Sequence, residues 1–233
     1  MKNQKKLIAS LLALAMMLGL AACSGGSTGG STTPSTAPST ESTAPADDGA
    51  DESTAPADDD STGDSTAATP AEFDGKVHGP FIMTTCGQST GSVMLHMVAG
   101  QIGATSTDDH ELSADTFDPG DAKTLIVTTG TSGKGMGAAG TDVDDEIARC
   151  TAVIEAAREA GLTIVCAHVE GMSRRTDAND QASIDAILPL ADVIMVVEES
   201  DSDGLFSDYA AENDIPIIIA KDALGMSEYM AAE

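Results

Sequence analysis

From residue 73 onward, short runs of β-branched and aliphatic residues alternate with longer stretches of helical period. Apolar runs at 81–85, 124–129, 162–168, 193–198 and 217–220 read as strands that are hydrophobic on both faces. Segment 104–111 is a weaker, polar strand that suits a sheet edge. Between them lie helical patterns at 88–103, 142–160, 177–188, 203–213 and 224–232. The second of these is the clearest: Val143, Ile147, Cys150, Ile154 and Ala157 share one face, and Gly161 closes it. Strands that alternate with helices imply a mostly parallel sheet covered on both sides. With right-handed crossovers, the expected fold is a doubly wound three-layer αβα sandwich of flavodoxin-like or Rossmann-like type. The expected strand order is 2-1-3-4-5, with 217–220 at the far edge. Ligands of such folds bind beyond the carboxyl ends of the strands. The loops of interest therefore follow Thr85, Thr129, His168 and Glu198.

The region before residue 73 follows other rules. Lys2, Lys5 and Lys6 precede an apolar run at 7–20 that is too short for a comfortable membrane span. The run ends in Leu20-Ala21-Ala22-Cys23, which resembles the lipobox of bacterial lipoproteins. That resemblance implies a signal peptide over 1–22 and acyl chains attached through Cys23. The protein would then be lipid-anchored on the extracytoplasmic face of the cell membrane. Residues 24–72 contain no Leu, Ile, Val, Met, Phe, Tyr or Trp. They cannot bury enough apolar surface to offset ordering entropy, so 23–72 reads as a lipidated cysteine followed by a disordered tether. The octet Glu-Ser-Thr-Ala-Pro-Ala-Asp-Asp occurs at 41–48 and again at 52–59, as in a slipped linker. The α/β domain is then 73–233.

Four loops supply the candidate chemistry. The first, Thr85-Cys86-Gly87-Gln88-Ser89-Thr90, opens a helix with no acid in its first turns. Free N–H groups at such an end suit an anion, or a plain Ser/Thr cap. The second, Gly130 to Gly140, is glycine-dense with a single Lys134. It lacks the spacing of a phosphate loop, since Gly135 follows the lysine where Ser or Thr is needed. The helix after it begins with Asp142, Asp144, Asp145 and Glu146, which would repel a pyrophosphate. It reads instead as a flexible flap, a close backbone approach to a ligand, or a long structural connection. The third loop carries Arg174 and Arg175, and the fourth begins at Glu198.

Charge sharpens this picture. The chain carries a formal −27, and residues 73–233 hold only eight Lys and Arg against 28 Asp and Glu. Nucleic acid is excluded as a partner. Lys134, Arg174 and Arg175 all fall in loops expected on one sheet edge, which points to a small anionic ligand. The alternative is that the arginines pair with Glu170, Asp177 or Asp180. The cysteines show neither C-x-x-C nor zinc spacing, and no metal or cofactor is expected. Cys150 and Cys166 fit as small core residues or, less readily, as a disulfide. No aromatic residue is placed to stack on a flavin.

Gly87-Gln88-Ser89, Gly133-Lys134-Gly135 with Gly137 to Gly140, Gly171-x-x-Arg174-Arg175 and Asp203-Gly204-Leu205-Phe206 together resemble a bacterial family. It is catalogued only as a domain of unknown function, number 6305 in that series. The resemblance spans most of 79–220 and implies a fold and an exported setting, but no reaction. Cys86 stands where a smaller residue suits the pattern, which leaves a thiol role open. Three functional readings follow. The leading one is a non-catalytic module binding a small anionic ligand among Thr85, Gly87, Gln88, Ser89, Lys134, Gly135, Arg174, Arg175 and Glu198. The second is a hydrolase using Cys86 or Ser89 with His168. The third is a surface that docks an unidentified protein partner.

Overall fold

The computed structural model describes residues 73–233. The expected signal peptide, Cys23 and tether lie outside these residues. Eight strands and five α-helices are present among the described residues. Six strands form one wholly parallel sheet: β2 (Phe81–Cys86), β3 (Ser106–Asp108), β4 (Thr124–Thr129), β5 (Thr163–His168), β6 (Val193–Val197) and β7 (Ile217–Ala220). Their spatial order is β3-β2-β4-β5-β6-β7. This is the doubly wound order expected from the sequence, with the polar strand β3 and strand β7 at the edges.

Alternation along the strands divides the apolar residues between two cores. Ile82, Cys86, Val127, Cys166 and Val196 face helices α3 (Val143–Glu159), α4 (Ala178–Ile187) and α5 (Leu205–Glu212). Met83, Ile126, Val165, Met195 and Ala220 face α1 (Gly91–Gln101) and the C-terminal segment around Met226. Period-two alternation explains why β2, β4 and β6 are buried along their whole length: each is covered on both sides.

Two expectations need correction. Residues 224–232 do not form a helix. They make a short 3₁₀ turn (Leu224–Glu228) and then β8 (Met230–Ala231). β8 pairs in parallel with β1 (Val77–His78), which precedes the main sheet, so main-chain pairing decides where helical period did not. The glycine-dense segment is not a flap either. Gly133–Ala139 is a helix, α2, whose Ser132 side chain accepts from the Gly135 N–H and whose Gly140 closes it at φ 73°. Its glycines allow contact rather than motion: a Cβ at Gly135 would lie 2.3 Å from the Gln88 carbonyl oxygen. Of the three readings offered for this loop, a close backbone approach is present, but the neighbour is the chain itself and not a ligand.

Candidate functional site at the carboxyl edge of the sheet

The loop after β2 is pinned from below by a buried ion pair. Glu146 is 2% exposed and meets Arg149 one helical turn on, at 2.7 Å. Its carboxylate also accepts from the Gly87 N–H and from Gln88 Nε2. Arg149 donates to the carbonyls of Thr85 and Leu112 and to Thr84 Oγ1. Burial pushes the Glu146 carboxyl up, but the hydrogen bonds from Arg149, Gln88 and Gly87 and the Arg149 charge outweigh it, and the net position is below the usual range. This network holds Gln88 at φ 56°, a backbone region that β-carbon-bearing residues seldom occupy. The first-turn acid of α3 thus serves the loop of β2. Sequence alone assigned it only to the dipole of its own helix.

Ser89 is fully buried and shares a hydrogen bond with Thr85 Oγ1 at 3.1 Å. His168 is also buried. Its Nδ1 lies 3.0 Å from Thr129 Oγ1, its Nε2 lies 3.3 Å from the Gly171 carbonyl, and its ring packs against Phe206. Burial lowers its pKa to about 4. Both ring nitrogens are engaged, and neither Cys86 nor Ser89 is among their partners. The Cys86–His168 or Ser89–His168 dyad is therefore not assembled. Cys86 faces α3 instead, in one apolar cluster with Cys150, whose neighbouring thiol draws its pKa down.

The two arginines are already paired. Arg174 donates through Nε to Glu170 at 3.0 Å and through Nη1 to the Thr131 carbonyl. Arg175 grips Asp203 through two bonds of 2.6 and 2.7 Å, donates to the Ser200 carbonyl, and lies over the Phe206 ring. It holds the Asp203 carboxyl at about 2. Expected partner Glu170 is confirmed, whereas Asp177 and Asp180 do other work. Asp177 caps α4, and Asp180 accepts from the Thr131 and Thr176 N–H groups. Lys134 is exposed on α2 and makes no ion pair among the described residues, and Glu198 is exposed with its N–H bonded to Ala220. The nine expected binding residues share one sheet edge. None of them lines the cleft described next, and Thr85, Gln88 and Ser89 are bonded within the loop and its supports.

A pocket does open nearby. A cleft of about 330 Å³ lies where the loops after β5, β6 and β7 meet α1. Its walls carry Glu170, Glu199, Lys221 and Asp222, with Met94 and Val169 as apolar surface. Glu170 is the built element. Its side chain is 9% exposed, and its Oε2 takes Arg174 Nε and Thr90 Oγ1. Its Oε1 is buried with no hydrogen-bond partner of good geometry. Burial raises this carboxyl, but the bonds from Arg174 and Thr90, the nearby Ser89 hydroxyl and the Arg174 charge bring it below the ordinary range, so it is ionised at neutral pH. The Glu199 carboxylate packs on Gly171, whose φ of 69° favours glycine. Of the four loops singled out in the sequence, those after His168 and Glu198 contribute to this cleft, through Glu170 and Glu199 rather than through Arg174 and Arg175. Lys221 and Asp222 had no signal in the sequence, since the strand before them ends at a sheet edge.

Comparison with known families settles membership. A family model described as domain of unknown function DUF6305 matches residues 78–233. The chain belongs to this family. No curated protein matches it. Among solved structures, a GDSL-like lipase from Bacteroides thetaiotaomicron is similar at 11% identity and a TM-score of 0.33, covering 65% of this chain and 71% of that one. A psychrotrophic esterase from Pseudoalteromonas is similar at 7% identity and a TM-score of 0.29, covering 60% and 77%. Likeness at this level says nothing of the chemistry of this DUF6305 protein.

Proposed function

We propose that this protein is an exported module, anchored through lipidated Cys23, that binds a small polar ligand bearing a protonated amine. The cleft at the carboxyl edge is its site. What supports this reading is Glu170, a largely buried carboxylate in the cleft wall that is held below the ordinary range. A ligand N–H⁺ seated against that wall would gain charge-assisted hydrogen bonds. Glu199 and Asp222 add negative charge, and Lys221 offers a partner for a carboxylate on the same ligand. The anionic ligand expected from the sequence rested on Lys134, Arg174 and Arg175; the two arginines are already paired with Glu170 and Asp203, and Lys134 does not line the cleft. The anchoring half of the proposal rests on the signal-like segment and on Leu20-Ala21-Ala22-Cys23. The test is a thermal-shift titration of the purified chain with small primary amines, amino acids and simple carboxylates. A saturating ligand raises Tm by mass action. Amine-bearing compounds should raise it, and Glu199→Gln/Asp222→Asn should abolish the shift. A shift with carboxylates alone, lost in Lys221→Ala, would restore the anionic reading. No shift across the panel would favour a docking role.

A further inference from the structure

We propose that Cys86 and Cys150 are disulfide partners whenever the chain folds in an oxidising compartment. Cys86 is the last residue of β2, and its side chain joins the core beneath α3. Cys150 lies on the buried face of α3, with its Sγ 3.6 Å from the carbonyl oxygen of Thr85. That carbonyl belongs to the peptide bond that carries the Cys86 nitrogen, so the helix presents its sulfur to the very end of β2. Both residues are fully buried in one apolar cluster, and both are free thiols here.

The third cysteine is out of reach of Cys86. Cys166 lies on β5, and β4 stands between β5 and β2. Two strand spacings of ~4.8 Å put Cys166 about 10 Å from the end of β2. A disulfide needs Cα atoms within about 7 Å. Burial also pushes the Cys166 thiol up to about 12, which suppresses its thiolate. The sequence offered Cys150 with Cys166 as the bridging pair. The contact of the Cys150 sulfur with the Thr85 carbonyl favours Cys86 as its partner instead.

The oxidant is a small external disulfide such as oxidised glutathione. The Cys86 thiol loses its proton, and the thiolate attacks one sulfur of the external disulfide. That S–S bond breaks, a mixed disulfide forms, and one external thiolate leaves and takes up a proton. The Cys150 thiolate then attacks the Cys86 sulfur and expels the second external thiol. Two protein thiols are oxidised and one external disulfide is reduced. Because neither sulfur is exposed, exchange occurs while α3 is undocked, during folding or a transient opening. The product ties α3 to the loop that Glu146 and Arg149 already pin. An exported setting supplies the oxidising compartment, so occurrence in the cell rests on the anchoring proposal above. The pairing itself does not.

The test is to refold the full-length chain in a glutathione redox buffer, trap thiols with an alkylating reagent, and map non-reduced peptides by mass spectrometry. The expected result is a peptide joining Cys86 to Cys150, with Cys166 alkylated. Reductant should lower Tm by about 5 °C or more in the wild type and leave Cys150→Ala unchanged. Alkylation of both Cys86 and Cys150, or a Cys150–Cys166 peptide, overturns the proposal. Membrane fractionation of cells expressing the same chain reads the anchoring separately. A cytosolic chain whose Cys86–Cys150 bridge forms only in the redox buffer would sink the anchoring and leave the pairing standing.

Discussion

Individual residues in this protein are constrained most where a charge is buried, and two of them give direct tests. Arg149 neutralises Glu146 beneath the β2 loop, at a site where Glu146 is 2% exposed. Arg149→Ala leaves that carboxylate uncompensated and should cost about 3–5 kcal/mol in urea unfolding. Arg158→Ala, which breaks an exposed pair with Asp192, should cost under about 1 kcal/mol. His168 gives a pH test. Burial chiefly, with the Arg175 charge, lowers it to about 4, while the Gly171 carbonyl and the charges of Glu170 and Asp180 oppose the fall. Between its unfolded pKa of about 6.5 and that value, the unfolded chain binds the extra proton. Stability from this residue is therefore complete above about pH 6.5 and is lost as pH falls towards 4, by about 3 kcal/mol. Denaturant midpoints from pH 7 to 4.5 should fall in the wild type and flatten in His168→Gln. A wild-type profile flat over that range would show that the histidine protonates in place. The sequence placed His168 at a strand tip and offered it as a base. What it withheld was burial of the ring on both sides, which depends on Phe206 from a helix far along the chain.

At the scale of elements, patterns of apolar residues predict well, and local backbone chemistry predicts poorly. Helix α3 was legible because its apolar face repeats at helical spacing over several turns. Helix α2 was not, because four glycines in Gly130–Gly137 read as breakers. Its signals were the Ser132 cap and the Gly140 stop, both weak beside that composition. The helix persists because Gly135 lets it lie on the Gln88 carbonyl, and the Gln88–Thr131 bridge joins the two segments. Two substitutions separate these roles. At Gly137 a Cβ meets nothing within 4 Å, so Gly137→Ala should stabilise by about 0.5–1 kcal/mol through helix propensity. At Gly135 the same change forces the helix off the loop and should cost about 1–3 kcal/mol. Paired unfolding curves decide it: two changes of the same sign would mean that α2 is not packed as described. The C-terminal segment failed for the opposite reason. Its pairing partner, β1, lies about 150 residues earlier, and no local pattern encodes so distant a ladder.

For the molecule as a whole, alternation of strand and helix was enough to fix layers and strand order, because right-handed crossovers leave few alternatives. Charge was legible as a total but not as a map. The total argued against nucleic acid, yet two of the three scarce bases it drew attention to, Arg174 and Arg175, are consumed in ion pairs, and acids it treated as solvated line the cleft. The same imbalance predicts how the whole chain responds to salt. Eight bases face 28 acids in residues 73–233, so most carboxylates have only like neighbours. Their mutual repulsion is largest in the compact state and acts over distances beyond the Debye length, about 10 Å at 0.1 M salt. Salt also weakens exposed ion pairs such as Arg158–Asp192, but each contributes under about 1 kcal/mol and they are few. The buried Glu146–Arg149 pair is screened much less. Relief of repulsion therefore wins, and Tm should rise as sodium chloride goes from about 10 to 300 mM. Measuring the same rise in potassium chloride separates screening from specific binding of sodium. A Tm that falls with salt would mean that exposed ion pairs, rather than the buried cores on either side of the sheet, dominate the electrostatic balance of the fold.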